Sequence, residues 1–212
     1  MSAYSEQEEL EKLKSWLKDY GAALIMGILL GLAVLIGNKY WQKYKEERLV
    51  TASALYDQLM YDLSKKKHDA VRDRGDRLIE DFASTPYAAK AALILARLSF
   101  DAGDNDMTVR RLQWAMEHAS DSAVEHTARL RLARLLMDKG MTEEAFSLFN
   151  VKDQSGFETE YQELKGDLLA LKGRKDEARA AYRAAIDALP GGSSYRRILR
   201  MKLDDLGPEE SE

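Results

Sequence analysis

The chain has 212 residues, 32% of them charged, with 32 Lys and Arg against 36 Asp and Glu for a net charge of −4. That near balance gives no electrostatic footprint for nucleic acid, and the absence of cysteine excludes disulfides, thiolate metal sites and cysteine nucleophiles. Three prolines and abundant Ala, Leu, Glu, Lys and Arg predict an all-α chain.

Residues 1–19 read as an amphipathic tail. Ser5 and Glu8 form a capping-box pattern, and Leu10, Leu13, Trp16, Leu17 and Tyr20 share one helical face. Residues 20–41 read as a membrane anchor. No charge occurs from Gly21 to Gly37. With Tyr20 and Asn38 the stretch makes roughly 28 Å of helix, against a hydrocarbon core of about 30 Å. Trp16 and Tyr20 at one end, and Tyr40 and Trp41 at the other, stand where interfacial aromatics anchor a span.

A cleaved signal peptide does not fit, because the preceding segment is long and carries five acidic residues against Lys12, Lys14 and Lys18. A buried core helix does not fit either, since the run is apolar all round between polar flanks. Orientation is nearly balanced. Those three lysines face Lys39, Lys43, Lys45 and Arg48 beyond the span, which leans slightly towards a cytoplasmic C-terminal domain. Gly27 and Gly31 form a G-x-x-x-G that Ala23 extends by one turn, so this face is a candidate for close contact with another membrane helix. Ordinary membrane-helix glycines explain the motif equally well.

Beyond the anchor, helix is expected to continue to about Leu63, with Leu55, Leu59 and Leu63 in one stripe. Breaks then recur at 65–69, 84–86, 101–106, 138–141, 171–176 and 190–194, with helices of 10 to 18 residues expected between them. The clearest unit runs from Tyr161 to Pro190. Gly166 lies in its first helix and Gly173 in its turn, Ala178, Tyr182 and Ala185 lie in its second helix, and Pro190 closes it. Small residues at 166, 178 and 185 admit a neighbouring helix, and the aromatic fills the gap between them. Ala133, Gly140, Ala145 and Phe149 repeat four of these positions 33 residues earlier, and a degenerate copy centres on Ala96, Gly103, Leu112 and Ala115. This is the tetratricopeptide pattern, with Gln162 and Arg129 in place of its tryptophan. It predicts a tetratricopeptide-like α-solenoid of helical hairpins over 42–206, behind a single N-terminal transmembrane helix. Residues 207–212 read as a disordered acidic tail.

Catalysis has no candidate. His68, His118 and His126 belong to no metal-binding motif, and no phosphate loop, nucleophile elbow or dinucleotide fingerprint occurs. No enzyme, cofactor, metal or catalytic residue is expected.

The anchor "GILLGLAVLIGNKYWQKY" followed by divergent repeats resembles the YfgM family, ancillary subunits of the bacterial SecYEG translocon. The likeness covers nearly the whole chain and is most specific at Gly27, Gly31, Leu35, Ile36, Gly37, Tyr40 and Trp41. It implies a bacterial inner-membrane protein with a cytoplasmic N-terminal tail and a periplasmic repeat domain, against the faint lean of the charge count. It also implies partnership with SecYEG and with the membrane-anchored periplasmic chaperone PpiD. The role implied is that of a chaperone-like adaptor passing secreted client proteins to periplasmic chaperones. An envelope scaffold and a stress-signalling regulator are the alternatives for the same repeats.

Overall fold

The computed structural model describes residues 3–154 and 156–207, leaving aside the side chains of residues 3–7, 23, 24 and 28. The capping box at Ser5, the side chain of Ala23 and the acidic tail from Pro208 onward therefore lie outside the described residues. Within them the chain is all-α. Its helices are α1 (Ala3–Ser64), α2 (His68–Asp81), α3 (Pro86–Asp101), α4 (Asn105–His118), α5 (Ser122–Asp138), α6 (Thr142–Ser147), α7 (Glu158–Leu171), α8 (Lys175–Ala188) and α9 (Arg196–Asp204). The chain divides into two compact units, Met1–Thr51 and Ala52–Glu212.

The first unit is the N-terminal part of α1. It includes a stretch long and apolar enough to cross a bilayer, with none of that window buried. Leu29, Leu30, Leu35 and Ile36 are all exposed, as a helix solvated by lipid requires. Near Asn38 the aromatic positions are paired: Trp41 stacks on Tyr44 with ring centroids 5.9 Å apart, and Lys45 lies over the Trp41 ring.

The second unit is a series of hairpins: the end of α1 with α2, then α3 with α4, α5 with α6, and α7 with α8, closed by α9. Each first helix ends in the same way. Lys66, Gly103, Gly140 and Gly173 have φ of 57°, 78°, 74° and 72°. In each turn the residue at positive φ donates its N–H three residues back, to Leu63, Phe100, Met137 or Ala170. The next N–H reaches five residues back, to Asp62, Ser99, Leu136 or Leu169. This Schellman geometry satisfies two carbonyls that the helix end leaves open. The following helix starts at once, and in α4 Asp104 caps it by accepting the Met107 N–H at 2.9 Å.

Burial follows the same register. Leu59, Ala96, Ala133 and Gly166 precede the turn residue by seven positions, and Val71, Thr108, Ala145 and Ala178 follow it by five. All eight are buried. The first hairpin is thus a fourth copy that the residue pattern hides, because its turn carries Lys66 rather than Gly and its second helix Val71 rather than Ala. The α1–α2 core joins Leu59, Val71 and Leu78 to Leu95 and Leu98 of α3, and the next core joins Leu112, Leu135, Phe149, Tyr161 and Leu168.

One expected length fails. No break is predicted between 141 and 171, yet α6 is only six residues long and α7 begins at Glu158. Asn150, Asp153 and Gly156, the last at φ 81°, favour turns in the connection. Phe149 lies beyond the end of α6 and is still only 9% exposed, so its burial is tertiary rather than helical.

Candidate interaction surface

The structure places the predicted packing residues as follows. Ala133, Ala145, Ala178, Ala185 and Tyr182 are buried, Gly140 and Gly173 form the positive-φ turns, and exposed Pro190 follows the end of α8. A Cβ on Gly166 would stand 2.6 Å from Tyr182 Cε1, so the ring occupies the space that this glycine leaves. Gly27 and Gly31 are exposed, and a Cβ on either would meet nothing within 4 Å.

Around Tyr182 lies a polar cluster that sequence reasoning missed. The Tyr182 hydroxyl donates to Asp167 at 2.8 Å. Lys202 Nζ donates to Asp167 at 2.7 Å and lies 2.7 Å from Glu163, and the Tyr195 hydroxyl donates to Glu163 at 2.8 Å. Glu163 is buried, so these donors replace the water it has lost. Burial and then the Asp167 carboxylate raise the Tyr182 pKa; burial and then Glu163 raise that of Tyr195. For Lys202, burial alone would lower the pKa, but the hydrogen bonds to Asp167 and Glu163 outweigh it and raise the net value. The cluster ties α9 to α7.

His126 is buried, with Nδ1 2.9 Å from the Tyr161 hydroxyl, and burial pushes Tyr161 up to about 12. His118 stacks on Trp114 within α4, whereas His126 lies in α5. Among the described residues no group of side chains could hold a metal ion.

A cleft of about 440 Å³ lies between α3, α4 and α5, and its walls include Leu93, Arg97, Phe100, Leu112, Arg131 and Arg134. Arg97 and Arg134 hold the same place in successive first helices, each one residue after the small Ala96 or Ala133. The repeat register was therefore enough to find the pair, but packing residues stand out in a repeat and exposed ones do not.

A family model described as "Tetratricopeptide repeat-like domain" matches residues 14–208. The chain belongs to this family. Its likeness to curated proteins extends over nearly the full length. It is 27% identical over 206 residues to an ancillary SecYEG translocon subunit of Haemophilus influenzae, covering 96% of this chain and 100% of that one. It is 27% identical over 204 residues to the protein of the same name from Escherichia coli, covering 95% and 97%. A third of that name, from Neisseria gonorrhoeae, is 26% identical over 202 residues. The resemblance read from the anchor and repeats therefore holds, and the apolar N-terminal helix fits a membrane anchor.

Proposed function

We propose that this protein is an ancillary subunit of the Sec translocon. In this reading residues 20–41 anchor it in the bacterial inner membrane, residues 1–19 face the cytoplasm and the repeats of 42–206 work in the periplasm. The observation that carries the reading is the end-to-end match, anchor included, to relatives named as ancillary SecYEG translocon subunits. The anchor raises the local concentration of the repeats at the translocon exit, so weak contacts suffice. The partners proposed are SecYEG, the chaperone PpiD and emerging secreted proteins. The mechanism is non-enzymatic hand-off, in keeping with a fold that supplies packed hairpins and an open cleft.

Topology tests it first. The chain has no cysteine, so single cysteines at Ser5 and Ser193 are labelled without background. A membrane-impermeant thiol reagent on intact spheroplasts is expected to label position 193 and spare position 5. The reverse pattern would remove the periplasmic assignment and the hand-off role with it.

A further inference from the structure

We infer that the outer face of α9, formed by Arg197, Ile198, Arg200 and Met201, is a docking site for an acidic amphipathic helix of a partner protein, seated where the earlier hairpins seat their second helix. α9 ends as the first helices of those hairpins end: Gly207 has φ of 79° and donates its N–H three residues back, to Asp204. That alignment makes α9 the first helix of a fifth hairpin. It buries the matching side, with Leu199 fully buried and Leu203 and Leu206 packed against the core of α7 and α8. The departure is seven residues before the turn. Leu59, Ala96, Ala133 and Gly166 are buried there, and Gly166 lies against Tyr182 of the second helix. In α9 the same position is Arg200, and it is exposed. Arg197 is exposed one turn before it, and beside them Ile198 is 44% and Met201 60% exposed. Neither guanidinium makes a hydrogen bond or an ion pair among the described residues, so carboxylates are the groups that complete them. Ile198 and Met201, three residues apart, form the apolar ridge against which a second helix interlocks its own side chains. An extended strand gains nothing there, because a helix has no free backbone groups along its length to pair with it. A second copy of the same face is opposed, since a two-fold pairing sets Arg197 and Arg200 against their own counterparts.

This face is separate from the cleft between α3, α4 and α5, and the docking site does not depend on the translocon reading. The test uses the full chain in non-ionic detergent and a dye-labelled peptide of about 16 residues, with Leu along one helical face and Glu flanking it, followed by fluorescence anisotropy with empty micelles subtracted. Saturable binding is expected, weaker by at least about tenfold when Lys replaces Glu in the peptide. The variant Arg197→Glu/Arg200→Glu is expected to reverse that preference and take the Lys peptide over the Glu peptide, which a misfolded protein could not do. Ile198→Ser/Met201→Ser is expected to weaken the Glu peptide by at least about fivefold. Arg131→Ala/Arg134→Ala, in the cleft, is expected to bind like the wild type. An unchanged preference in the charge-reversed variant, or a tenfold loss in the cleft variant, would overturn the site. So would either of two other occupants. A wild-type dimer that charge reversal abolishes would assign the face to a second copy. Peptide binding about tenfold tighter after removal of residues 208–212 would assign it to the chain's own acidic tail.

Discussion

Lys66 is the one non-glycine residue with positive φ among the described residues, at 57°, and it stands where the other three hairpin turns carry glycine. An L-residue there sets Cβ against the following carbonyl at a cost of about 1–2 kcal/mol, less the backbone freedom that a glycine would lose on folding. Lys66→Gly is therefore expected to stabilise the repeat domain by roughly 0.5–1 kcal/mol. Gly140→Ala should destabilise it by about 1 kcal/mol or more. The space around Gly140 is open, so that loss would be backbone strain and not a clash. Urea denaturation of a fragment starting at residue 42 measures both. A neutral result at both positions would mean that the turn conformation contributes nothing to the fold. Gly166 differs in kind: it lies inside α7, and what it provides is room for Tyr182.

At the level of elements, α9 depends on a few polar bonds as well as on Leu199, which is fully buried. Lys202→Ala would leave the buried Glu163 with Tyr195 and Asp167 with Tyr182, each one cation short. A loss of about 2 kcal/mol is expected, read as faster hydrogen exchange in α9 and in α7 facing it. The pH dependence has a definite sign. Lys202 is raised above its ordinary 10.5, and Tyr195 and Tyr182 above 10.0. A raised folded pKa stabilises the fold fully below the unfolded value and is lost as pH climbs through the folded one, so the helix stays docked at neutral pH and loosens in alkali. The sequence told much about these elements and little about that docking. Glycine turns, the continuation of α1 and the start of α3 at Pro86 are local signals and were legible. The six-residue α6 and the capping of α7 by α9 were not, because Phe149 and Glu163 are buried by chain distant in sequence.

For the whole molecule, the question is which part carries partner binding. Ala52 and Leu59 of α1 are fully buried against α2, so a fragment from residue 42 should fold while one from residue 65 should lose that wall of its core. Gly27 and Gly31 stand in a different situation. Among the described residues a Cβ on either would meet nothing within 4 Å, so Gly27→Leu with Gly31→Leu is expected to cost little internal packing, and the added apolar side chains suit lipid. Only a close-packed partner helix would object. If that helix belongs to the translocon or its chaperone, the double variant should insert and fold normally yet co-purify with far less of that partner. The fragment from residue 42 should fold and also recover little, having lost its tether. Wild-type recovery by the double variant would make the two glycines ordinary membrane residues. Wild-type recovery by the fragment would move the binding energy out of the membrane and into the repeats.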